Sequence, residues 1–258
     1  MSLDDCAALV QAGDPARFAA AMAAPVAARA RLWPLYALNL EVARAPWAAA
    51  EPIIAEMRLQ WWIDTIEGLG QGLAHSGHPV SEALLPFLSG DADLTALLAG
   101  LAEARRRDCR KEPFADRLAF DAYLDATSGN LMWAAARLLG APDGAEPAVR
   151  SFAWGAGLAA YMMAAPELES RGRIPFTDGR PAALAALAEE GLRRIAGAHR
   201  AARTIPSAAR PALWPGASAK AILRRAARTP ALVAAEALAP SPFARHWHLA
   251  TRALLGRF

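Results

Sequence analysis

Polar side chains set into apolar helical sequence are the first candidates for chemistry. In the run Leu35-Tyr36-Ala37-Leu38-Asn39-Leu40-Glu41-Val42-Ala43-Arg44, Asn39 and Glu41 sit among apolar neighbours, where uncompensated burial is costly. Further on, Arg58-Leu59-Gln60-Trp61-Trp62-Ile63-Asp64 places a double tryptophan among polar groups. Two readings stay open here. Glu41 and Arg58 could pair in the interior between two helices, or the polar groups could floor a pocket.

Other clusters are simpler. Asp121 and Asp125, four apart, share a helical face and could hold a divalent cation weakly, or they face solvent. Arg105-Arg106-Arg107 with Arg110 and Lys111 makes either an anion site or a solvated helix end. Without aromatic interleaving or a recognition motif, these cations do not indicate nucleic-acid binding. His75 and His78 have ligand spacing, but Gly72, Gly77 and Pro79 argue for a loop with exposed histidines. Cys6 and Cys109 are too few for a disulfide framework or a four-thiolate metal site, and fit a reducing compartment.

The elements that must position these groups are helical. Of 258 residues, 55% are hydrophobic and 21% charged, and the chain is rich in Ala but poor in strand-forming Val, Ile, Thr and Tyr. An all-α fold follows. Helices are predicted over 15–22, 25–45 with a kink or break at Pro34, 47–68, 81–88, 94–109, 114–139, 147–165, 181–203, 217–227 and 242–255. Residues 204–216 form an ordered connection. No repeat or low-complexity interval divides the chain, so one domain over 1–258 is expected, with a basic C-terminal helical extension from about 204. The first residues carry no secretory signal, and the longest uncharged apolar run, 152–166, is too short to span a bilayer. A cytoplasmic protein, peripheral at most, is the expectation. Its C-terminal segment sets Trp247, Leu249, Leu254, Leu255 and Phe258 among Arg245, Arg252 and Arg257. That pattern suits either a membrane-surface helix or a helix packed on the core with its arginines outward.

Leu35 to Arg44, followed by Arg58-Leu59-Gln60-Trp61-Trp62, resembles the first signature region of the squalene/phytoene synthase family. Tyr123 to Gly140, with Ser128-Gly129 and Ala134 to Gly140, is similar to the family's second conserved helix. Gly155-Ala156-Gly157 and Gly172-Arg173-Ile174-Pro175 are similar to the close of its third region. The resemblance implies an isoprenoid-synthase-type helical bundle around a central cavity. It also implies a head-to-head prenyltransferase activity, in which two Asp-rich motifs hold magnesium ions against the diphosphate.

The chain departs from that pattern at the chemistry. Ala43, Arg44 and Trp47 stand where the resemblance places the first acidic motif, and Ala160-Tyr161-Met162-Met163-Ala164-Ala165-Pro166 replaces the second. An alanine cannot ligate a cation, and an arginine would repel one. Glu167 and Glu169 follow Pro166 at an expected helix end. The expectation is a family member without catalytic residues, metal or cofactor. It resembles the non-catalytic branch that includes a respiratory complex I assembly factor. Tyr36, Asn39, Glu41, Arg44, Arg58, Gln60, Trp61, Trp62 and Asp64 would be its pocket residues. An isoprenoid or lipid-like ligand, or a membrane protein at an inner membrane, would be its partner. The alternative is an active prenyltransferase using magnesium and the displaced carboxylates Asp121, Asp125, Glu167 and Glu169.

Overall fold

The computed structural model describes residues 2–48, 51–73 and 77–258, and among them the regular structure is helical, with no strand. The elements in order are α1 (Ser2–Gly13), α2 (Pro15–Ala23), α3 (Val26–Arg44), α4 (Pro52–Gly70), α5 (Pro79–Leu88) and α6 (Ala92–Ala104). These are followed by α7 (Arg117–Leu124), α8 (Asn130–Leu138), α9 (Glu146–Ser170), α10 (Pro181–Arg200), α11 (Ala219–Arg228) and α12 (Pro242–Leu255). Helix starts follow local chemistry. The side chains of Asp14, Asp91, Asp116 and Ser241 accept hydrogen bonds from the first turns of α2, α6, α7 and α12. Proline opens α2, α4, α5, α10 and α12, where its missing N–H costs nothing. One hydrophobic cluster runs from Cys6 to Phe258, and it takes in Ile205, Leu213, Ile222, Val233 and Leu238 of the C-terminal segment.

The helix α1 has no counterpart in the expected elements, yet Cys6 and Val10 are fully buried and it packs on α3 and α5. Pro34 does not break α3. The residues around it, Leu32 and Leu35 to Leu40, are all buried, and that packing outweighs the roughly 3 kcal/mol cost of an interior proline. For the same reason α9 runs through Pro166, itself buried, and ends at Ser170 rather than at the expected 165. The helix expected over 94–109 tightens into a 3-10 turn at Arg105–Cys109.

The long helix expected over 114–139 starts at Arg117 and widens into a π-helical turn at Asp125–Gly129. There α9 comes close: a Cβ at Gly157 would stand 2.4 Å from Ser128 Oγ. Two residues earlier, on the other side of α9, a Cβ at Gly155 would meet Ile195 Cγ1 at 2.7 Å and the Gly191 carbonyl at 2.9 Å on α10. The small residues of Gly155-Ala156-Gly157 therefore set how tightly α9 seats between its neighbours. They thereby fix where its Tyr161, Ala164 and Glu167 point.

Candidate functional site

Helix α3 presents two different faces to two different pockets. Ala43 and, beyond the helix end, Trp47 line a cavity of about 260 Å³ with Arg105 and Asp108 of the 3-10 turn, Tyr123 of α7, and Tyr161, Ala164, Glu167 and Leu168 of α9. Arg171 closes its rim. Glu41 and Arg44 line a separate pocket of about 220 Å³ with Ala45, Ala48, Arg58, Trp61, Trp62 and His78.

The floor of the first cavity is a hydrogen-bonded triad. Arg105 donates from Nη1 to Asp108 Oδ2 at 3.1 Å and to Tyr123 Oη at 2.8 Å, and the Tyr123 hydroxyl donates to the same carboxylate oxygen at 2.7 Å. Arg173 adds a hydrogen bond to the Asp108 backbone carbonyl, with its Nη1 4.0 Å from Oδ1. Burial opposes the charge on Arg105, but Tyr123 and Asp108 together hold its pKa above the ordinary arginine value. Burial raises the Tyr123 and Tyr161 phenols, with Asp108 adding to both, so both stay protonated and act as donors. Tyr161 donates to the Pro175 carbonyl at 3.0 Å amid Phe114, Phe120 and Phe176.

Trp47 divides this cavity from an outer cleft of about 330 Å³ lined by Pro46, Pro52, Cys109, Arg110, Lys111, Glu112, Arg171 and Arg173. The Arg171 and Arg173 guanidinium groups each lie 4.5 Å from the Trp47 ring centre, in cation–π range. Arg171 Nε also pairs with Glu167 Oε1 at 2.6 Å, and Arg110 Nε with Glu56 Oε1 at 3.1 Å. The outer cleft is thus dominated by cations, whereas the inner cavity pairs Arg105 and Arg171 with Asp108 and Glu167.

The expected pocket residues separate. Glu41, Arg44, Arg58, Trp61 and Trp62 come together, but Glu41 and Arg58 make no ion pair. Trp61, Trp62 and His78 form an aromatic cluster, with Trp62 edge-on to His78 at 4.9 Å. His78 is therefore not the exposed loop residue expected, whereas His75 lies outside the described residues. Tyr36 is buried in the core with its hydroxyl unpartnered, and the Arg17 guanidinium lies 5.9 Å from its ring. Asn39 is buried beside it in sequence. Gln60 is exposed, donating to Asp64 Oδ1 at 2.6 Å and accepting from Arg106.

The displaced carboxylates do not converge. Asp121 pairs with Arg117 at 2.9 Å, Asp125 with Arg150 at 3.1 Å and Glu167 with Arg171, while Glu169 is exposed. Sequence reasoning missed Asp108, Tyr123, Tyr161 and Arg173 as a joint site. The one signal was an aspartate lodged within Arg105-Arg106-Arg107-Asp108-Cys109-Arg110-Lys111.

With this geometry in hand, comparison with known proteins is decisive for the family. The squalene/phytoene synthase family matches over residues 10–178. The chain belongs to that family. Among solved structures, it is similar to squalene synthase HpnC from Alicyclobacillus acidocaldarius, at 17% identity and TM-score 0.76 over 88% of this chain and 93% of that one. It is also similar to a dehydrosqualene synthase in complex with ligand, at 14% identity and TM-score 0.76 over 98% and 96% of the two chains. These likenesses establish the isoprenoid-synthase-type fold. No curated protein matches the chain.

The family implies magnesium, and the donor set present does not fit it. Among the described residues no group of three or more His, Cys, Asp or Glu side chains is placed to hold a metal ion. The two carboxylates lining the cavity, Asp108 and Glu167, are each held by arginine. No helix among the described residues is long and apolar enough to cross a membrane.

Proposed function

We propose that this squalene/phytoene synthase family protein is non-catalytic. It uses its cavity to bind an anionic isoprenoid- or lipid-like ligand through arginine side chains, with no metal and no other cofactor. The observation that carries this reading is the identity of the side chains at the cavity wall. Ala43, Trp47 and Ala164 line it where the family resemblance calls for carboxylates, and Arg171 stacks on Trp47. An anion entering here meets guanidinium groups that need no bridging cation. A diphosphate leaving group would lack the paired divalent ions that stabilise its departure.

The second pocket supports the same direction. Among the described residues, the Glu41, Arg44 and Arg58 side chains that line it make no ion pair or side-chain hydrogen bond, so these three are open to a bound group. The retained Tyr-Ala-x-Asn-x-Glu and Arg-Leu-Gln-Trp-Trp pieces support a place in the branch that includes the complex I assembly factor. On that reading the chain works in the cytoplasm at the inner membrane with a membrane protein partner.

The test is direct. Purified protein is incubated with magnesium and farnesyl or geranylgeranyl diphosphate, and the hydrocarbon fraction is analysed. No C30 or C40 product is expected, and steady formation of either overturns the reading.

A further inference from the structure

Helix α12 is mounted inside out. Phe243, Trp247, Ala250 and Leu254 fall at i, i+4, i+7 and i+11, a single stripe along one face. In a helix packed on a core that stripe points inward. Here Phe243 is 76% exposed, Trp247 60% and Leu254 85%, and no residue of α12 is buried. The Phe243 and Trp247 rings stack at 6.3 Å in the open.

The opposite face does the anchoring. Leu249 and Ala253 pack against the core, Ser218 Oγ bonds His248 Nδ1 at 3.1 Å, and Arg252 donates to the Phe258 carbonyl at 3.0 Å. Beyond the helix, Arg210 donates to the Gly256 carbonyl at 2.6 Å and Trp214 Nε1 to that of Arg257 at 2.8 Å. The orientation is thus held by specific bonds. The same helix forms one wall of an apolar cavity of about 270 Å³ with Ala16 and Ala19 of α2 and Met163 of α9. One turn beyond Ala19 on α2, Met22 is also exposed.

Charge selects the occupant. Residues 191–258 contain twelve Arg and Lys and a single acid, Glu236, whereas residues 1–190 contain sixteen bases and twenty-four acids. The segment bearing the apolar stripe is strongly cationic on an otherwise acidic chain, and α12 itself has no acidic residue. We propose that the Phe243–Trp247–Leu254 face docks on an anionic bilayer surface. The aromatic and leucine side chains enter the headgroup–acyl boundary, and the net positive charge of the 191–258 segment draws it to the anionic surface. This goes beyond the cavity reading and does not depend on it.

Full-length protein is floated with vesicles of phosphatidylcholine alone or mixed equally with phosphatidylglycerol. Co-flotation with the anionic vesicles, weakened by salt, is expected, together with a roughly ten-fold fall in the bound fraction for Trp247→Glu and Phe243→Glu. Leu118→Glu, an equally exposed leucine on α7, serves as the control and leaves binding unchanged. All variants replace solvent-facing side chains, and unchanged thermal melting verifies folding. Failure to float, or equal flotation of wild type and Trp247→Glu, overturns the proposal. So does a lipid-free dimer that Trp247→Glu dissociates, because the face then belongs to a second copy.

Discussion

The Arg171 guanidinium lies 4.5 Å from the centre of the Trp47 ring, at a position where the family resemblance places an acidic side chain. On the proposed reading, this cation held against an aromatic face takes the part that a carboxylate would play beside a metal ion. It is consistent with the rest of the wall, where Asp108 is enclosed by Arg105, Tyr123 and Arg173.

Buried Asp108 compensates the part-buried Arg105 guanidinium, so its loss is expected to be costly. Asp108→Asn leaves Arg105 against a neutral amide and should cost roughly 1.5–3 kcal/mol in urea unfolding. Asp121→Ala and Glu169→Ala, at partly exposed positions, should stay within about 1 kcal/mol of wild type. Equal losses at all three sites would remove the distinction between the buried triad and the surface carboxylates.

The crossing of α9 and α10 makes a second stability prediction. Gly155→Ala puts a methyl 2.9 Å from the Gly191 carbonyl, a backbone atom that cannot rotate away. A cost of about 1–3 kcal/mol by chemical denaturation is expected, since overpacking forces the two helices apart. A neutral or stabilising result would mean that this contact yields without strain.

How much of this was legible beforehand depended on whether local pattern or tertiary contact decided each element. The all-helical class and most helix starts were readable, because Asp14-Pro15 and Pro181 are local signals. Continuity through Pro34 and Pro166 was not, since it depends on packing from partners distant in sequence. The same limit split the candidate site. Of the residues that the resemblance placed in a pocket, Glu41, Arg44, Arg58, Trp61 and Trp62 line one, whereas Tyr36 and Asn39 are buried in the core. Asp108, Tyr123 and Tyr161 meet only through the fold, 15 and 38 residues apart from Tyr123 outward.

Acid sensitivity should arise in part at His199. It is half-buried between Phe152 and the stacked Phe258, and burial, then Arg252 and Lys220, hold its pKa below the ordinary value. The unfolded chain therefore binds this proton first, so stability falls as pH drops through about 6.5 toward the lower folded value. Urea midpoints at pH 7.5 and 5 should differ less in His199→Gln than in wild type. An unchanged slope would assign the effect to other groups.

Both thiols should be inert in the native protein. Burial, with help from Asp5, pushes Cys6 up to about 12. Burial, with Glu56 and Asp108 outweighing Arg173 and Arg106, pushes Cys109 up to about 11. Labelling by iodoacetamide at pH 8 should be roughly a hundred-fold slower than in urea-unfolded protein, and rapid native labelling would contradict this burial.

Calorimetric titration of inorganic pyrophosphate, in excess magnesium and again in EDTA, decides whether the cavity needs a metal ion to hold an anion. Binding in both is expected, of similar affinity, weakened by added salt and by the Arg171→Ala and Arg173→Ala substitutions. Binding that appears only when magnesium is present would contradict the metal-free reading.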